Sequence, residues 1–277
     1  MATGERLDDT NALYRADLAR HRVAYRFADV HFARTRGPDR EAPTVLDLGC
    51  GTGYGVALLA ASGHRVVGLD RVLHTGVSAV LPGGSSGRVG ARFVRGDLER
   101  LPFAACSVDC VASFQVIEHF ADPSAYLAEI ARVLRPKGVA LFSTPNRLQS
   151  DGENPFHPRE YAPGELASLL GGSFARVELL GIYAVGPAAR YHASRLRQIR
   201  LLTRLDPLSL RRKLPRAVVD WMFARLSVLV RLAARREGAM EGVGDADYPI
   251  ETGSDACLDL LAICRGSESH ESDAPVG

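Results

Sequence analysis

Apolar positions along the chain fall into two rhythms. PTVLDLGCGTG (43–53) is a short apolar run ending in a glycine cluster, which predicts a buried strand entering a turn. HRVVGLD (64–70), ARFVRGD (91–97), SVDCVASF (107–114), VALFSTPN (139–146) and FARVELLGIYA (174–184) predict five more strands. Between them, YGVALLAASG (54–63), PSAYLAEIARVLRPKG (123–138) and PGELASLLGG (163–172) carry helical spacing. Pro123 and Ser124 open the second of these, and Pro136 and Gly138 close it. Ahead of the first strand, Leu13, Tyr14, Leu18, Val23, Tyr25 and Phe27 are spaced loosely as a helix. After residue 186 the order breaks. Residues 187–240 read as helices interrupted near Pro207 and Pro215, and only then does ACLDLLAICR (256–265) supply a last hydrophobic strand.

Strands alternating with helices imply right-handed crossovers and a parallel sheet covered on both faces. The expected fold is therefore α/β: a doubly wound, mostly parallel seven-stranded sheet with an inserted helical lid. Residues 1–39 form an N-terminal helical segment, 40–186 the core, and 187–247 a basic helical insertion. Residues 248–266 hold the last strand, and 267–277 are expected to be a disordered tail.

Composition narrows the class. With 46% hydrophobic and 24% charged residues, the 277-residue chain is globular, not fibrous or wholly disordered. It has no apolar stretch long enough to span a membrane, and its start, MATGERLDD, has no apolar core behind a basic end. Five cysteines, Cys50, Cys106, Cys110, Cys257 and Cys264, include no CxxC pair and read as reduced, mostly buried thiols of a cytoplasmic protein. Net charge is only +2, yet it is unevenly placed: residues 186–237 hold thirteen basic and three acidic side chains, residues 241–277 one basic and nine acidic.

The glycines of VLDLGCGTGYG are Gly49, Gly51, Gly53 and Gly55. A dinucleotide fingerprint needs a glycine three residues after the second, and Tyr54, Val56 or Leu58 stands there in the three registers, which counts against NAD or FAD. The loop can still let backbone pass close to a ligand, because glycine accepts positive φ and has no Cβ. Asp47 can hold this loop or accept from a ligand ammonium. Asp70 and Asp97 end the second and third strands, so three carboxylates share one crevice at the carboxyl edge of the sheet.

Here the motifs become specific. VLDLGCGTGYG, VVGLD, GDLERLPF and SVDCVASFQVIEHF, followed by ARVLRPKGVALFSTPN, resemble class I S-adenosylmethionine-dependent methyltransferases over about residues 40–185, with 256–265 fitting as well. GERL, Tyr25 and Phe27 are similar to a bacterial subgroup linked to sugars and secondary metabolites. The resemblance implies S-adenosylmethionine as cofactor and S-adenosylhomocysteine as product. It places Gly49, Cys50 and Gly51 at the methionine end, Asp70 at the ribose, Asp97 and Leu98 at the adenine, and Gln115 beside the sulfonium; Asp47, Gly53 and Arg71 complete the expected cofactor-binding set.

Methyl transfer is an in-line displacement that depends mainly on alignment, and a hydroxyl acceptor needs a base or a metal as well. His119 is the first candidate for general base, with Glu118 or His157 orienting it. QVIEH with a later histidine also resembles the metal set of small-RNA 3′-terminal 2′-O-methyltransferases. Glu118, His119 and His157 match that set, but Gln115 replaces its first carboxylate with a neutral ligand, so a divalent metal is the secondary reading.

Three roles compete for the basic insertion. It can be a lid over the acceptor whose arginines pair with the acidic C-terminal stretch. It can be a membrane-surface helix for a lipid-like acceptor, with Trp221, Met222, Phe223 and Leu226 among Arg225, Arg231, Arg235 and Arg236. It can also contact phosphate, with a nucleotide-linked acceptor favoured over RNA. The lid is the preferred reading. The function expected is methyl transfer to a small-molecule oxygen, on a sugar or secondary metabolite. A metal-dependent RNA ribose methyltransferase is the enzymatic alternative, and a catalytically silent cofactor-binding partner protein the non-enzymatic one.

Overall fold

The computed structural model describes residues 12–35, 42–72, 90–150, 154–203, 216–236, 238 and 240–266. The expected breaks at Pro207 and Pro215, the GERL segment and the tail 267–277 lie outside them, as do the side chains of Trp221 and Phe223.

Helix α1 (Arg15–Ala33) leads into β1 (Thr44–Leu48), α2 (Tyr54–Ala61), β2 (Arg65–Asp70), β3 (Ala91–Arg95) and β4 (Val108–Phe114). Then come α3 (Ser124–Val133), β5 (Leu134–Pro145), α4 (Pro163–Gly171) and β6 (Arg176–Ile182). Helices α5 (Gly186–Thr203) and α6 (Arg216–Arg236) precede β7 (Ile250–Thr252) and β8 (Asp259–Arg265). The sheet order is β3-β2-β1-β4-β5-β8-β6-β7, with β1 to β5 parallel and β8 antiparallel to both its neighbours.

Two features differ from expectation. The sheet has eight strands, because the three-residue β7 adds an antiparallel edge to β6, which the sequence pattern was too short to show. The helix expected over 123–138 stops at Val133, and β5 begins at the next residue. Pro136 disfavours helical geometry at Arg135, so the chain turns extended and Leu134 pairs with Val108 ahead of a register break.

Alternating residues of each central strand serve opposite faces, and both are dry. Val45, Val66, Cys110, Ala112 and Leu141 pack beneath α1, α2 and the two basic helices; Leu46, Leu48, Leu69, Val111 and Phe142 pack against α3 and α4. Burial on both faces explains why these strands are continuously apolar in sequence. Four of the five cysteines, all free, are buried, and Cys106 is exposed. Among the described residues, no helix is long and apolar enough to cross a membrane.

Candidate functional site

The glycine loop joins β1 to α2 at the carboxyl edge. Gly49, Gly51 and Gly53 have φ of 69°, 54° and 84°, so all three use the left-handed region that side chains disfavour. The Gly49 and Cys50 amides donate to the Leu69 carbonyl, at 2.8 and 3.2 Å, fastening the loop to β2. A Cβ on Gly49 would lie 2.6 Å from Val116, whereas one on Gly51 would meet nothing closer than 4.0 Å. The loop is thus backed by protein on one side and open at Gly51. That space, with the carboxylate of Asp70 beside it, fits the cofactor the sequence implied.

Asp70 joins the loop to the end of β2: Gly51 N–H donates to its Oδ2 and Val72 N–H to its Oδ1, both at 3.0 Å. Asp47 is tied to α1, not to the glycine loop. Its fully buried carboxylate accepts from the Tyr25 hydroxyl at 3.1 and 3.2 Å, and burial pushes its pKa up to about 7, with Asp70 adding to the rise and the Tyr25 bond opposing it. Cys50 is buried, with its sulfur close to Gly68 of β2. Arg71 is exposed. Asp97 is exposed as well, its Oδ1 taken by the Glu99 amide at 3.0 Å, and the adjacent Leu98 is buried.

The catalytic candidates follow β4. Gln115 holds φ of 57°, rare for a residue with a side chain, and its amide donates to the Ser143 carbonyl at 2.8 Å. Glu118 and His119 lie in a single 3-10 turn, Ile117–His119. Glu118 points inward: it is fully buried, Thr144 Oγ1 donates to its Oε2 at 2.9 Å, and its Oε1 has no hydrogen-bond partner. Burial raises the Glu118 pKa, against the pull of the two nearby histidines. His119 is exposed, and its Nδ1 lies 3.0 Å from the Phe156 carbonyl. A carbonyl only accepts, so Nδ1 carries the hydrogen and the neutral ring presents its Nε2 lone pair.

Neither residue expected to orient His119 does so. Glu118 is committed to Thr144, and His157 meets His119 edge-on, with ring centroids 5.2 Å apart. The orienting group is a main-chain carbonyl, which no side-chain motif reveals. His157 has its own partners: Nδ1 to Glu160 at 2.8 Å and Nε2 to Asn154 at 2.9 Å. Ligand atoms of Glu118, His119 and His157 do come within 4.8 Å of one another, so the three could surround a cation once the Asn154 bond is given up. Gln115 does not join them. Its side chain bonds Asp259 and reaches Ser143 Oγ at 3.5 Å.

Sequence reading overlooked the charges on that side. Asp259 opens β8 opposite Pro145, the last residue of β5, so strand reversal brings it to the carboxyl edge. Arg20 of α1 donates from Nη1 to Asp259 Oδ1 at 3.1 Å. One turn earlier, buried Asp17 accepts from Arg231 Nε of α6 at 3.1 Å and from Arg195 Nη1 of α5 at 3.4 Å. The available signal was a carboxylate inside the apolar run LDLLAIC. Among the described residues, α1 offers partners both to the basic helices and to the acidic stretch. Arg195 and Arg231 turn to Asp17 of α1, while Asp245 and Asp259 pair with Arg22, Arg26 and Arg20 of the same helix.

Comparison with known proteins agrees with this geometry. A family profile for a methyltransferase domain matches residues 46–142. A probable S-adenosylmethionine-dependent methyltransferase of Mycolicibacterium smegmatis is 43% identical over 196 residues, covering 65% of this chain and 68% of that one. A counterpart from Mycobacterium tuberculosis is 38% identical over 198 residues, covering 68% and 66%. Among solved structures, an S-adenosylmethionine-dependent methyltransferase from Thermotoga maritima superposes with a TM-score of 0.53 over 94% of this chain and 96% of that one. At 15% identity, that likeness is one of fold alone.

Proposed function

Because the chain belongs to the S-adenosylmethionine-dependent methyltransferases, we propose that it methylates an oxygen of a small-molecule acceptor, a sugar or secondary metabolite, with His119 as general base. S-adenosylmethionine is the cofactor, and when bound it supplies a methyl group on a positively charged sulfur and leaves as S-adenosylhomocysteine. The loop Gly49–Gly53 and Asp70 hold it in this reading, with Asp97 and Leu98 at its adenine. The chain's own contribution is then to align the acceptor, worth up to about 7–11 kcal/mol in favourable systems, and to accept its proton. His119 Nε2 would take the hydrogen of the acceptor hydroxyl as its oxygen receives the methyl group that the cofactor would supply.

One observation carries the choice of oxygen: the Phe156 carbonyl fixes His119 with its Nε2 lone pair presented, just beyond the strand that ends beside Gln115. A hydroxyl needs such a base. Helices α5 and α6 are assigned as the acceptor's cover, and the reaction is placed in the cytoplasm, in keeping with thiols that are all free. The gathered ligand atoms of Glu118, His119 and His157 favour a second reading, a metal-dependent transfer to an RNA ribose.

The test is transfer of labelled methyl from S-adenosylmethionine into fractionated extract of the source cell, with and without chelator. Chelator-insensitive label in a small-molecule fraction, stable to mild base as an ether is, supports the proposal. Label in RNA that vanishes with chelator replaces it with the second reading.

A further inference from the structure

Helix α6 presents apolar side chains in two directions. Val230, Arg231 and Ala234 are buried on its inner side. Residues 218, 222, 225, 229, 232 and 236 recur at alternating spacings of four and three, which at about 100° per residue lines them along the opposite side. They are Val218, Met222, Arg225, Leu229, Leu232 and Arg236. Val218 is 41% exposed and Leu229 58%; Arg225 and Arg236 are exposed, and Met222 and Leu232 half-buried. The outward stripe of a helix docked on a globular core is normally polar. Here four of its six positions are apolar, along a helix of 21 residues, about 30 Å. Isolated exposed apolar residues are ordinary, but a continuous row of them marks a surface that meets something.

Charge around the stripe selects what it meets. Residues 186–237 hold thirteen basic and three acidic side chains, so pairing within the stretch can answer at most three of the thirteen. Arg195 and Arg231 turn inward to Asp17. Arg235 is exposed beside Arg236, and α5, which packs alongside α6, is exposed at Arg190, Arg197, Arg200 and Leu201. A second copy of the chain is a poor match. Symmetric contact would lay stripe on stripe and bury Arg225 and Arg236 with no carboxylate on the stripe to receive them. A nucleic acid would satisfy the arginines but not a row of aliphatic side chains, since bases stack on aromatic rings. An anionic lipid surface answers both needs. The acyl boundary takes up Val218, Met222, Leu229 and Leu232, while the guanidiniums reach the phosphates on flexible apolar stems.

We propose that the outward stripe of α6, from Val218 to Arg236, rests in the surface of an anionic phospholipid membrane, with the helix parallel to that surface. The contact is peripheral, because among the described residues no helix is long and apolar enough to cross a membrane. The ion pair of Arg231 with Asp17 holds the inner side of α6 against α1, so the stripe is carried outward on a docked helix. The inference adds a partner to the methyltransferase and does not depend on which acceptor is methylated.

Flotation of the full chain with vesicles tests the contact without turnover. One set of vesicles is phosphatidylcholine alone, and the other is phosphatidylcholine with a quarter phosphatidylglycerol. The protein should float with the anionic set, far less with the neutral one, and less as salt is raised. Leu229→Ser removes apolar surface from the stripe and should weaken binding several-fold. Arg236→Gln should weaken it about fivefold, and it carries the test if circular dichroism shows that Leu229→Ser has not folded. Leu148→Ser, at an exposed leucine outside the two helices, should change nothing. Failure to float with anionic vesicles overturns the proposal, as does unchanged binding in folded Leu229→Ser and Arg236→Gln, or an equal loss in Leu148→Ser. Protein that does not float but sediments as a dimer, and as a monomer once Leu229→Ser is made, assigns the stripe to a second copy instead.

Discussion

At the scale of single residues, the site divides into positions where backbone conformation matters and positions where a proton matters. Gly51 belongs to the first kind. Its φ of 54° disfavours a Cβ by roughly 1–2 kcal/mol, while the space around it is open. Gly51→Ala should therefore fold but bind S-adenosylhomocysteine less tightly, as calorimetry would show. Gly55→Ala is a different case, because its Cβ would lie 2.0 Å from the Tyr25 ring and displace α1 as well. His119 belongs to the second kind. His119→Ala should leave cofactor affinity unchanged and slow transfer by roughly 10²–10⁴; unchanged turnover would remove it as the base. The glycines, Asp70 and the two histidines were legible in sequence, since motif spacing places them at one sheet edge. Their hydrogen-bond partners were not. Phe156 orients His119 through a carbonyl every residue possesses, and Asp47 finds Tyr25 across 22 positions.

At the scale of elements, α1 is the part whose role exceeds its sequence signal. Its periodicity predicted a helix, but weak amphipathicity gave no hint that it packs on α2 through apolar residues while bonding α5, α6 and β8 through charges. Asp17 is the centre of that docking, and replacing one partner of a buried ion network strands the others. Asp17→Asn should cost about 3–5 kcal/mol in a urea titration. The histidines on these elements set a pH dependence. Burial pushes His21 and His192 down to about 3, with Arg20 adding to both shifts. Unfolded histidine binds its proton near pH 6.5, so between 6.5 and about 3 the unfolded chain holds more protons and stability falls as pH falls. Buried Asp47, Glu118 and Asp259, whose pKa values are raised, act in the opposite sense. The difference between the protein and its His192→Gln variant isolates the histidine: the variant's stability should decline less on going from pH 7 to pH 4.

At the scale of the whole molecule, the parallel part of the sheet follows from the alternation of apolar runs and helices, and so did the expectation of a crevice at its carboxyl edge. The antiparallel insertion of β8 was not readable, since direction is set by which edge is vacant once β5 and β6 are placed, and apolar content is the same either way. In the proposed reading the cofactor is held by the ends of β1 and β2, and Asp47 of β1 is bonded to Tyr25 of α1, so occupancy should stabilise the protein globally. S-adenosylhomocysteine at a hundred times its Kd should add about 2.7 kcal/mol to unfolding, seen as a rise in melting temperature. Asp70→Ala should abolish that rise, and a rise that persists in this variant would show that Asp70 does not hold the cofactor.

The reversal of β8 also imposes an order of assembly during synthesis. Every residue proposed to hold the cofactor lies before position 116, whereas Asp259, which joins Gln115 to Arg20, is translated more than a hundred codons later. A chain still on the ribosome at residue 250 has its glycine loop but lacks the strand that fills the gap between β5 and β6. The acceptor side can close only once that last strand has been made, so the glycine loop is in place before the acceptor side is complete.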